Sequence, residues 1–143
     1  MVAGLLLIAW PAAAADSPVG TWVKKNVEPG KQGMIFKIEK WGSDGAELVW
    51  ELKKAKMVMT LATKLDGKDA PLLVNGKPSG ETMAITGVDK LHSTTILKMN
   101  GKQFGTSKGT FSADFNTMTV ENDVSQALGG LGTGKTTEVW TRQ

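Results

Sequence analysis

The C-terminal stretch Gly129-Gly-Leu-Gly-Thr-Gly-Lys-Thr-Thr-Glu-Val-Trp-Thr-Arg-Gln143 admits two incompatible folds. Gly129 to Thr136, GGLGTGKT, matches the phosphate-loop pattern G-x-x-x-x-G-K-[ST] at every fixed position. Such a loop works because a glycine-rich turn leaves a strand and opens a helix whose N-terminal N–H groups point at phosphate. Here only Thr137-Glu-Val-Trp-Thr-Arg-Gln143 follows, too short and too β-branched for that helix, with no room for the surrounding α/β domain. An exposed glycine-rich loop between a strand at Thr117–Val124 and a last strand explains the same letters. No nucleotide is expected.

Outward from this stretch the chain is punctuated by turn signals: Pro29-Gly30, Ser43-Asp44-Gly45, Asp66-Gly67, Asn75-Gly76, Ser79-Gly80 and Asn100-Gly101. Short β-rich runs at this spacing are those of an all-β sandwich or barrel. Met34-Ile-Phe-Lys-Ile-Glu-Lys-Trp41 alternates, with Met34, Phe36 and Ile38 on one face and Lys37 and Glu39 on the other. Leu91 to Met99 ends at Asn100-Gly101, whose residues both tolerate positive φ and suit a type I′ hairpin. Residues 46–65 carry two periods: Leu48, Leu52, Ala55, Met59 and Ala62 fall at helical spacing, whereas Ala46, Leu48, Trp50 and Leu52 alternate with Glu47, Val49 and Glu51. Because every neighbour is strand-like, a hairpin turning at Lys53–Lys56 is expected rather than a helix.

Composition bounds the rest. With 143 residues, 41% hydrophobic and 22% charged, the chain reads as one soluble globular domain. A domain of this size buries roughly two thirds of the surface its unfolded chain exposes. Residues 1–15 contain an apolar run from Gly4 to Trp10, Pro11 and an A-x-A site, which read as a signal peptide cut before Asp16. The run is far short of the ~20 residues of a spanning helix, so no membrane span is expected in the mature residues 16–143. Export without a single cysteine leaves the fold to its core and hydrogen bonds, and excludes thiolate chemistry. The net charge of +3 comes from lysines scattered along the sequence and one arginine, unlike a nucleic-acid binder.

Gly20-x-Trp22 on a first strand, with Arg142 at the end of a last strand, resembles the signature of the calycin superfamily: lipocalins, fatty-acid-binding proteins and bacterial secreted lipocalin-like domains. Leu65-Asp-Gly-Lys-Asp69 and Gly76-x-Pro78 look like the middle of the last group. The resemblance implies a single antiparallel up-and-down β-barrel of about 8 to 10 short strands with little or no helix. It also implies that first and last strands are neighbours and that Gly20, Trp22 and Arg142 close one end. A planar guanidinium stacks on an indole and still donates to carbonyls, which lysine does less well. No helical lid fits between Trp22 and Met34. Where many fatty-acid-binding proteins hold a carboxylate with arginine and tyrosine on the last strand, this chain has Glu138 and Trp140, which favours a neutral or cationic head group.

The inner face is expected to collect Phe36, Ile38, Leu48, Trp50, Met57, Met59, Leu97, Met99 and Phe104, with Glu138 and Trp140. Flexible methionines suit a ligand tail, although small barrels also fill themselves with side chains. An inward Glu138 would titrate high and act as a base; an outward one is simply solvated. His92, the only histidine, has no partner for a zinc site and reads as a surface or hydrogen-bonding residue. Asp66 with Asp69, or Glu121 with Asp123, are conceivable calcium ligands, but neither pair resembles a calcium loop and exposed charges explain both.

The expected function is periplasmic or secreted binding or sequestration of one small amphiphile, an acylated molecule, by a monomer without cofactor. The alternative is a hydrolase of an acylated ester or lactone, with Glu138 as the catalytic carboxylate and a divalent cation such as calcium assisting. A third reading is a filled barrel acting as an interaction or envelope-maintenance module.

Overall fold

The computed structural model describes residues 16–25, 33–125 and 133–143. The signal-peptide segment, the Trp22–Met34 connection over residues 26–32, and residues 126–132 of the glycine-rich stretch lie outside the described residues. Ten strands occupy the rest: β1 (Gly20–Lys24), β2 (Met34–Gly42), β3 (Gly45–Leu52), β4 (Met57–Thr63), β5 (Asp66–Val74), β6 (Lys77–Gly87), β7 (His92–Met99), β8 (Lys102–Phe111), β9 (Thr117–Val124) and β10 (Gly134–Arg142). Each pairs antiparallel with its neighbours in sequence, and β1 pairs with both β2 and β10, so the up-and-down sheet closes on itself. Closure leaves no edge strand.

Local chemistry sets the turns. Asn75-Gly76 and Asn100-Gly101 have φ of 49°, 80°, 50° and 80°, positive at both central positions as a type I′ turn requires. Residues 46–65 form the expected hairpin: β3 and β4 face each other from Ala46↔Thr63 to Leu52↔Met57, with Lys53–Lys56 as the turn. Cross-strand packing of Leu48 on Leu61 and Trp50 on Met59 outweighs helix propensity there. Two turn signals act differently from expectation. The β4–β5 turn sits at Lys64-Leu65, with Asp66-Gly67 already opening β5. Ser79-Gly80 lies inside β6, as a bulge.

The stretch GKT, Gly134 to Thr136, is strand, in register with Val124, Asp123 and Asn122 of β9. Its backbone belongs to a ladder, where a phosphate loop would begin a helix.

Two clusters fill the interior. The larger includes Trp22, Phe36, Ile38, Leu48, Leu61, Leu72, Phe111, Phe115, Met118 and Trp140. A smaller one gathers Leu97, Phe104 and Val124, with Met83 and Met99 against it. Bulges decide who joins. A shift between Ile38 and Lys40 breaks the period of two and lets Trp41 reach the main cluster. Another at Leu97/Lys98 leaves Phe104 without a ladder partner and fully buried.

Candidate functional site

One end of the barrel is closed by residues from both chain ends. Trp22 is 0% exposed and is the ladder partner of Arg142. Its indole Nε1 donates to the carbonyl of Pro18 at 2.9 Å. Arg142 Nη1 donates to the carbonyls of Ser17 at 2.9 Å and Val19 at 3.4 Å. The arginine stem crosses Gly20, where an added Cβ would stand 3.1 Å from Arg142 Cδ, so only glycine lets the stem lie flat. Phe111 bridges this end, with ring centroids 5.8 Å from Trp22, 5.4 Å from Trp41 and 5.7 Å from Phe115. Aromatic pairs at these separations add specific geometry to their area burial.

The expected lumen residues divide between the clusters. Phe36, Ile38 and Trp140 are core, and Phe36 lies 5.0 Å from Trp50 in a stacked pair and 5.9 Å from Trp140. Met59 packs on the same cluster. Met57, half-buried, faces Leu52 beside the β3–β4 turn. Leu97, Met99 and Phe104 lie together in the second cluster, toward the end opposite Arg142, hereafter the distal end.

Glu138 lies on the same strand face as Trp140 and Arg142, but it is already engaged. Oε1 is 3.4 Å from Lys24 Nζ and Oε2 accepts from Trp140 Nε1 at 3.2 Å. A carboxylate held by a cation and an indole N–H is a structural bridge between β1 and β10. Next to it runs a polar row, Thr95, Ser107, Asn122 and Thr136, set by ladder register. Buried Asn122 accepts from Ser107 Oγ at 2.5 Å, and its amide nitrogen reaches Thr136 Oγ1 at 3.5 Å.

Sequence reasoning missed Glu81. It is 7% exposed, it alternates with Met83 and Ile85 of the core, and its ladder partner is Met99. Its backbone N–H donates to Ser79 Oγ, which in turn donates to the Leu72 carbonyl at 2.6 Å, pinning the β6 bulge. Bulges of this kind re-aim a side chain. Among the described residues no side chain bonds or pairs with its carboxyl. Burial pushes the Glu81 carboxyl above its ordinary value of 4.5. Glu81 is in phase with Met83 and Ile85, but that signal counts only once Ser79-Gly80 is known to lie inside β6 and not in a turn before it.

The proposed cation ligands are not brought together. Asp66 accepts from the Lys68 N–H, and Asp69 pairs with Lys98 at 3.1 Å. Glu121 and Asp123 stand on the outer face of β9, opposite Lys108 and Lys135 in register. Among the described residues no group of three His, Asp or Glu converges. His92 is exposed, its Nδ1 2.7 Å from Asp89, whose carboxyl is held below the usual range first by the Leu91 N–H and then by the imidazole.

Two hollows among the described residues lie in or beside the barrel wall. One of about 270 Å³ lies on the outer wall among Val49, Thr60, Ala62, Pro71 and Leu73, where β4 and β5 share only the pairs Met59↔Val74 and Thr60↔Leu73. The other, about 410 Å³, lies at the Arg142 end beside Trp41, Leu65 and Phe115. Among the described residues no helix is long and apolar enough to cross a membrane. Against known protein families, curated proteins and solved structures, the chain finds no match.

Proposed function

We propose that this is a periplasmic or secreted lipocalin-like barrel of the calycin kind, which binds one small neutral amphiphile in the distal half of its lumen. The observation that carries the reading is Glu81, a buried carboxyl without a partner, set in a wall of Met83, Met99, Leu97 and Leu72. A carboxyl drawn toward the core at a bulge, largely screened from water and answered by no protein group, is a place for a ligand atom. The acyl tail lies along the methionines, and the head group meets Glu81. A fatty-acid anion is disfavoured, since it would meet a second acid without a cation between them. A neutral ester, amide or lactone accepts a hydrogen bond from the carboxyl when it holds its proton, the form that burial favours. Apolar burial supplies most of the affinity, at ~25 cal/mol per Å² removed from water.

The same burial favours the hydrolase as a second reading, with Glu81 in place of the engaged Glu138 as the acid or base on an acyl ester or lactone. No metal step is needed for that role.

Titration calorimetry with acyl lactones, fatty acids and alkylamines of equal chain length tests both. The expected result is saturable binding of the neutral compound, weakened by about tenfold in Glu81→Leu, the scale of one lost buried hydrogen bond to a charged or polar partner. Equal binding of all three head groups, or an unchanged affinity in Glu81→Leu, would sink the site assignment. Product in the same cells, lost in Glu81→Gln, selects the hydrolase.

A further inference from the structure

The lysines that look scattered in the sequence are not scattered in space. At the distal end every connection carries an exposed one: Lys25 after β1, Lys53 and Lys56 between β3 and β4, Lys77 after the β5–β6 turn, Lys102 after the β7–β8 turn, and Lys135 at the start of β10. Among the described residues Asp123, opposite Lys135, is the exposed acid there, while Lys24, Lys37 and Lys98 are paired with Glu138, Glu51 and Asp69. At the Arg142 end every connection carries an aspartate: Asp16 before β1, then Asp44, Asp66, Asp89 and Asp114, with Lys64 and Lys90 among them. Among these described residues lysines therefore predominate around one rim and aspartates around the other.

We propose that the distal rim docks on an anionic lipid bilayer surface, lysines toward the headgroups. The lysines ring the barrel instead of lining a groove, and no arginine stands among them, a pattern that suits diffuse attraction to a charged plane and not the bidentate reading of nucleic-acid phosphates. Apolar groups accompany them where an interface would take them up: Val58, 40% exposed, and half-buried Met57 follow directly on Lys56. No exposed aromatic at this rim offers a base a platform to stack on. Docking in this orientation turns the Glu81 half of the lumen toward the membrane, where amphiphiles are stored, yet the docking itself does not depend on what the lumen binds.

The test is flotation of the purified protein with vesicles of phosphatidylcholine alone and of phosphatidylcholine mixed with phosphatidylglycerol, at low and high salt, beside a single-stranded oligonucleotide. Binding is expected to the anionic vesicles only, and to fall with salt. The variant Lys53→Glu/Lys56→Glu/Lys77→Glu/Lys102→Glu is expected to bind at least about tenfold more weakly, a lower bound from the per-lysine contribution near an anionic surface. The control Lys40→Glu/Lys64→Glu/Lys68→Glu/Lys90→Glu, of equal net charge, is expected to stay within about threefold of the parent. Should charge reversal disturb folding, seen by near-ultraviolet circular dichroism, the same four distal lysines changed to glutamine carry the test. Equal losses in both variants would overturn the proposal by showing a net-charge effect. So would absence of binding to anionic vesicles, or tighter binding of the oligonucleotide through the same lysines.

Discussion

The two ends of this barrel are built on opposite rules. At the Arg142 end the polar groups that close the barrel are answered: the Trp22 indole by Pro18, the guanidinium by Ser17 and Val19, Asp44 by Lys40, Asp89 by the Leu91 N–H and His92, and Asp114 by Ser112 and Asn116. Aromatic rings fill the space between. At the distal end the packing passes from rings to methionines, the turns carry lysines, and one buried carboxyl, Glu81, has no protein partner. Folding needs the first arrangement. The second costs stability, which is the mark of a surface kept for something else.

The largest break in this contrast comes from Trp22→Ala. Removing a fully buried indole from the centre of the aromatic cluster is expected to cost about 3 to 5 kcal/mol, read as the loss of midpoint in urea unfolding followed by tryptophan fluorescence. A loss no greater than that of Met57→Ala would mean that the Arg142 end is not where the stability resides. Next is Arg142→Lys. The ammonium keeps the charge and a stem over Gly20 but not the planar fork, so about 1 to 2 kcal/mol is expected to go with the hydrogen bonds to Ser17 and Val19. The same measurement at high salt separates the cases. A cost that vanishes with salt would make Arg142 a surface charge instead of a closure.

The Arg142 end was legible in the sequence and the distal end was not, for a physical reason. Gly20, Trp22 and Arg142 announce closure through residue types that do one thing well, and Asn75-Gly76 and Asn100-Gly101 announce turns in the same way. Alternation correctly placed Phe36, Ile38, Leu48 and Trp50 inside. It stumbled where the period slipped, as at the bulge that brings in Trp41, while Phe104 is buried as expected although its bulge leaves it without a ladder partner. Glu138 drew attention by its place in a family pattern, but its partners Lys24 and Trp140 are visible only once β1 and β10 are neighbours. Glu81 was hidden because Pro78-Ser79-Gly80 reads as a turn, which would leave the next glutamate in solvent. Likewise lysines on successive distal turns, such as Lys25, Lys53, Lys77 and Lys102, meet on one rim only because an up-and-down barrel sends alternate turns to the same end.

The smallest expected effect is also the one that separates the two ends by sign. Asp44, Asp89 and Asp114 have carboxyls held low, by the Lys40 side chain, by the Leu91 N–H and by the Ser112 hydroxyl respectively. A lowered folded-state pKa adds stability that is present above the unfolded value and lost as pH falls through the folded one. Glu81 is raised by burial, so its folded form binds the proton more tightly than the unfolded chain does. Its contribution is therefore complete below the ordinary value of 4.5 and disappears as pH rises through the raised one. The parent protein should gain stability from the aspartates on leaving acid, then give part of it back as pH rises through the raised Glu81 value. In Glu81→Gln the acid-side gain should stay and the later fall should go, leaving the variant more stable above that value, because the amide carries no charge to desolvate. Urea midpoints across that range decide it. If the variant follows the parent at every pH, Glu81 is solvated in the folded protein, and the distal half of the lumen holds no carboxyl waiting for a ligand.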